Sequence, residues 1–166
     1  MKLLEKPILI VQLIFFLFSS VIALSQGINQ IDAQGRKQGV WRKSYENGQI
    51  RYEGNFQNDQ PVGEFRHYHP NGKLKAIIIH TGDGHSSAAE FYNENEILMA
   101  RGFFYDEWKD KTWEYFNQKN GKLISIENYQ QGIPHGEWIV YYKEDTVVSE
   151  NFTYDHGQKQ GPWKQF

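Results

Sequence analysis

The chain has 166 residues, with 18 Lys plus Arg against 20 Asp plus Glu, and a formal net charge of −2. That length suits one domain, and a near-neutral balance without a basic block argues against a nucleic-acid partner. There is no cysteine, which excludes a disulfide framework, a thiolate nucleophile and a Cys-rich zinc site.

In chain order, residues 1–25 read as a secretory signal peptide. Lys2 and Lys6 supply the positive start. Ile8 to Leu24 form an apolar run broken by Gln12, and Ala23-Leu24-Ser25 is a small-residue cleavage site before Gln26. An uncleaved anchor is the alternative, although 17 residues is short for a bilayer of about 30 Å. The expected location is exported: periplasmic, extracellular or associated with the cell envelope. Residues 26–34 read as a short linker.

From residue 35 to 166 the chain repeats itself. Gly35-Arg36-Lys37-Gln38-Gly39-Val40-Trp41 returns as Gly157-Gln158-Lys159-Gln160-Gly161-Pro162-Trp163. The aromatic anchors Trp41, Phe65, Trp113, Trp138 and Trp163 are spaced 24, 48, 25 and 25 residues apart, with a degraded unit near Ala89 to Phe91 in the double interval. A fixed period in this range marks a repeat architecture.

Each unit reads as two strands. In the first, Trp41 to Tyr45 and Gln49 to Phe56 flank Asn47-Gly48, a dipeptide expected to form a type I′ hairpin turn. The corner recurs at Asn71-Gly72 and Asn120-Gly121, and is degraded to Asn95-Glu96 and Glu144-Asp145. Polar return turns follow at 58–61, 82–84, 106–107, 132–135 and 155–157. Five units and a final strand predict an all-β fold: an antiparallel β-meander of about eleven strands in sequence order, forming one elongated twisted sheet. The anchors are expected to pack as a ladder across it.

The run Gly-x-Trp, strand, Asn-Gly, strand, Glu53-Gly54-Asn55-Phe56 and polar turn resembles the bacterial variant of the MORN repeat, as found in YwqK-type antitoxin-like proteins. The resemblance spans residues 35–166. It implies hairpin repeats, an interaction role rather than catalysis, and no catalytic residues. The third unit lacks both Gly-x-Trp and Asn-Gly, so its strands are expected to be the least regular, or modified for a partner.

Several short patterns mimic sites. Gly84-His85-Ser86-Ser87-Ala88 is near a nucleophile elbow, but such an elbow needs a helix after the serine. His67 and His69, two apart on an expected strand, lie near His80 and His85 in sequence. Asp106, Glu107 and Asp110 surround Trp108. Asn151-Phe152-Thr153 matches a glycosylation sequon, read here as structural. Lys73-Leu74-Lys75 with Ile77-Ile78-Ile79 is the best lipid-directed segment. None is taken as a catalytic, cofactor or metal site. The expected function is an exported, non-enzymatic protein-interaction module, antitoxin- or immunity-like by the resemblance, that binds or neutralises a protein of the envelope. The alternative is a carbohydrate- or lipid-surface-binding module using the aromatic ladder. Membrane contact is not favoured, and the terminal strand offers an edge to a second copy.

Overall fold

The computed structural model describes residues 27–142 and 147–165, with the backbone alone for 162–165. The segment 1–25 that reads as a signal peptide, the Glu144-Asp145 corner and the Trp163 ring lie outside the residues and side chains described.

Thirteen strands form one antiparallel sheet among the described residues: β1 (Gln30–Ile31), β2 (Lys37–Ser44), β3 (Ile50–Gln57), β4 (Gln60–Tyr68), β5 (Leu74–His80), β6 (Ser86–Tyr92), β7 (Leu98–Tyr105), β8 (Trp108–Phe116), β9 (Leu123–Gln130), β10 (Ile133–Pro134), β11 (Gly136–Tyr142), β12 (Val147–Asp155) and β13 (Gln158–Gln165). The strands pair in sequence order, with β10 branching from β9. The two beyond the expected eleven are two-residue pieces. β1 draws the linker segment into the sheet through Gln30↔Gln38, and β10 pairs Ile133↔Gln130.

The type I′ turns are not at the Asn-Gly corners. There Gly48 alone is left-handed, at φ 85°, while Tyr45 N–H bonds Gln49 O and Gly48 N–H bonds Tyr45 O. That is a three-residue loop in which a left-handed glycine ends a tight turn, and it shifts the register at Lys43/Ser44. The two-residue turns with both residues left-handed lie on the return side, at Asn58-Asp59, Gln131-Gly132 and His156-Gly157. Asparagine is well suited to the tight turn itself, so Asn-Gly identified a hairpin but misidentified its type.

The glycine of Gly-x-Trp has its own role. Gly39, Gly63, Gly136 and Gly161 are all left-handed, and Lys111 holds the same place at φ 59°. The register slips by two residues beside them in β3–β4, β7–β8 and β12–β13, where one residue of the first strand faces three of the second, an enlarged form of β-bulge. In the third unit Ser87 takes this place without positive φ, and β5–β6 pair from Ala76↔Phe91 to His80↔Ser87 without a shift. The degraded unit is therefore regular in its pairing. What it lacks is the bulge and the anchor ring.

Alternation along the strands gives the sheet two unlike faces. One is aromatic and carries the core: Trp113 is 2% exposed and Phe65 4%, with Ala76 and Ala89 also buried. Ring contacts run along it through Trp41–Phe56, Phe56–Phe65, Phe91–Trp113, Phe104–Trp113, Tyr129–Trp138 and Trp138–Tyr154 at 4.9–6.2 Å. The anchors Phe65 and Trp113 lie over Gly54 and Gly102 of the preceding strands, where no side chain intervenes. Three anchor tryptophans donate their ring N–H to a carbonyl of a preceding strand: Trp41 to Gln30, Trp113 to Phe103, Trp138 to Asn128, at 2.8–3.1 Å. β1 supplies the carbonyl that the first tryptophan would otherwise lack.

Candidate functional site: the charged face

The opposite face carries one row of side chains across successive strands. The register places Arg42, Glu53, Arg66, Ile77, Glu90, Arg101, Glu114, Ile126 and Ile139 side by side. Arg42 pairs with Glu53 at 2.9 Å, Arg66 with Glu64 at 2.6 Å, and Arg101 with Glu114. Exposed pairs of this kind add roughly 0–1 kcal/mol each, so the row contributes pattern more than stability. Tyr68 donates to Glu53, and with Arg42 it holds that carboxyl below its ordinary range.

Across the third unit this face sinks into a shallow groove of about 530 Å³, lined by Ile77, Ile79, Ala88, Phe103 and Thr112 and rimmed by Glu64, Glu90, Arg101 and Glu114. Its floor exists because Ala88 is small and sits between two large apolar neighbours, Ile79↔Ala88 and Ala88↔Phe103. Ile79 is 47% exposed and Phe103 45%, so the groove presents unpartnered apolar surface. The Lys111 ammonium stands 5.2 Å from the Phe103 ring centre.

The histidines read together from sequence are dispersed. β4 ends at Tyr68, after a register shift at His67/Tyr68, so His69 sits in the turn, where its Nε2 contacts Tyr92 O at 3.0 Å. His67 and His80 lie on the aromatic face, against Tyr52 and Phe65. His85 pairs with Asp106 at 2.6 Å on the return edge. A three-residue cluster of histidine and carboxylate does form there, from His135, Asp155 and His156. Both contributing turns were visible in sequence. Their meeting depended on strand register.

Burial pushes the pKa values of His67 and His80 down, and Lys75 adds to the effect at His67. The folded state then binds fewer protons than the unfolded chain just below pH 6.5. The contribution of these two residues is present above that pH and is lost as the pH falls through the folded values. Melting temperatures between pH 7 and 5 should therefore fall less steeply in His67→Gln than in the parent. Identical slopes would contradict this. His85, raised by its hydrogen bond to Asp106, acts in the opposite sense.

Ser86 opens strand β6 rather than a helix, and its Oγ donates to Asp83 at 2.7 Å. Asp106 is a left-handed turn residue, Asp110 accepts the Gln131 N–H at 3.1 Å, and Trp108, 64% exposed, packs on Gly132. Asn151 donates to Glu137 within the sheet at 2.9 Å. In the lysine-isoleucine segment, Lys75, Ile77 and Ile79 share the charged face while Ile78 turns to the aromatic one, and Glu64 and Glu90 stand opposite the outward isoleucines.

Residues 37–58 and 61–80 match the family described as MORN repeat variant. These are the first two hairpins, and repeats of this kind generally serve as binding modules. A search of curated proteins finds no match. Among solved structures, the chain is similar to one described as "Crystal Structure of TarM", at 18% identity and a TM-score of 0.41. That similarity covers 59% of this chain, which spans 19% of the other's length.

Proposed function

We propose that this protein is an exported, non-enzymatic interaction module whose charged face receives a segment of another protein in the groove over the third unit. One observation carries the reading: an exposed apolar floor, Ile79 and Phe103 about Ala88, enclosed by charged residues of both signs. An apolar centre with a mixed polar rim is the anatomy of a protein–protein contact. An anionic membrane surface would favour a cationic border, whereas three of the four rim residues are glutamates. A glycan platform needs accessible rings, and the anchors Phe65 and Trp113 are packed in the core.

The antitoxin-like resemblance and the apolar leader together make the favoured partner a protein of the cell envelope, held or neutralised there. β13, at the end of the strand order, is the edge that a second copy would extend.

The test is crosslinking capture in the native host with a tag after Phe166, comparing the parent with Phe103→Asp. A stoichiometric protein partner is expected from the parent. It should be lost or reduced at least about tenfold in the variant, because a buried unpaired charge opposes docking, while circular dichroism stays unchanged. The same partner at the same yield from both chains would move the contact off this face. Enrichment of glycan or lipid without protein would favour the alternative module.

A further inference from the structure

The return-turn edge carries a side-chain constellation that the repeat does not require. His135 lies between β10 and β11, Asp155 closes β12, and His156 occupies the next turn in a left-handed conformation, φ 46°. The frame beneath them is fixed by backbone bonds, Gly157 N–H to Pro134 O at 2.8 Å and His135 N–H to Asn128 O at 2.9 Å. One carboxylate oxygen, Asp155 Oδ1, stands 2.6 Å from His156 Nδ1 and 3.6 Å from His135 Nδ1. All three donor atoms lie within 4.8 Å of one another.

We propose that His135, Asp155 and His156 form a binding site for a divalent transition-metal ion of zinc-like preference, with water completing the coordination. Two imidazoles and one carboxylate make a borderline donor set. It suits zinc and its neighbours better than calcium or magnesium, which favour all-oxygen sites. A tetrahedral ion with bonds of about 2.0–2.1 Å holds its donors roughly 3.3 Å apart. The observed separations bracket that value. Closing on an ion requires rotation of three exposed side chains on a backbone already set by strand pairing.

The geometry also fits a shared ligand better than an ordinary ion pair. Asp155 can satisfy His156 alone, yet the His135 ring is held edge-on to His156, with centres 5.1 Å apart. The His135 Nδ1 otherwise receives only a long contact from the His156 N–H, at 3.5 Å. Beside the rings is a depression of about 250 Å³ lined by Gln130, Gln131 and Ile133, which gives room for a coordinated water and amide groups to bond it.

Calorimetric titration of the untagged protein with zinc chloride, in a non-chelating buffer, tests the site. One saturable site per chain is expected. His135→Ala, His156→Ala and Asp155→Asn should each weaken it by about tenfold or more, with circular dichroism unchanged. The His67→Ala/His80→Ala double variant should bind as the parent does. Saturating zinc should raise the melting temperature of the parent but not of His135→Ala/His156→Ala. The proposal is overturned by the absence of saturable heat, or by binding that survives in the His135→Ala/His156→Ala chain.

Discussion

Trp113→Ala is expected to lower the unfolding free energy by about 3–5 kcal/mol, the range for emptying a core site of a large aromatic. The ring is 2% exposed. It is held edge-on by Phe104 at 4.9 Å and stacked with Phe91 and Tyr115 at 6.2 Å, and Lys109 lies 5.2 Å from its centre. Its removal would also free the Phe103 carbonyl and uncover the backbone at Gly102. A single-layer sheet has no second sheet to close that gap. Trp113→Phe should be milder, since it keeps most of the ring and loses mainly the N–H bond, a net contribution of about 1 kcal/mol. Urea unfolding of both variants provides the measurement. A loss below about 1 kcal/mol for the alanine variant would mean that this ring is not the centre of the core.

Gly102→Ala is expected to cost about 1–3 kcal/mol, through overpacking rather than backbone strain. A Cβ there would meet Trp113 Cδ2 at 2.4 Å. The ring cannot slide freely, because Phe104 and Phe91 hold its other sides. The two substitutions should therefore be strongly non-additive. In a Trp113→Ala background, Gly102→Ala should be close to neutral, since the atom it collides with is gone. Equal cost in both backgrounds would place the penalty in the backbone.

The period, the hairpins and the anchor ladder were legible because each unit restates the same short pattern. Trp41, Phe65, Trp113 and Trp138 lie on the aromatic face as their spacing implied. The turn types were not legible. Asn-Gly is compatible with several tight turns, and the choice rests on whether both residues or the glycine alone adopt positive φ. The third unit was expected to be the least regular or modified for a partner, and its pairing across β5–β6 is regular. Loss of Gly-x-Trp removed a bulge, and Ser87 allowed a longer uninterrupted ladder. The groove was hidden by Ile77-Ile78-Ile79, a run without visible alternation, although the backbone sends its members to opposite faces. The His135–Asp155–His156 cluster joins residues about twenty apart, and composition alone cannot place them together.

The missing bulge has a geometric consequence for recognition. Bulges increase the local right-handed twist of a strand pair. The seams β3–β4 and β7–β8 have them, and β5–β6 between them does not. Rotation from strand to strand should be gentlest across the middle of the array, between two more tightly coiled stretches. The apolar groove begins on that seam, at Ile77, Ile79 and Ala88. A rigid partner can lie across a level landing more readily than along a spiralling ramp. The repeat that departs most from its neighbours should thus be the least twisted stretch among the described strands.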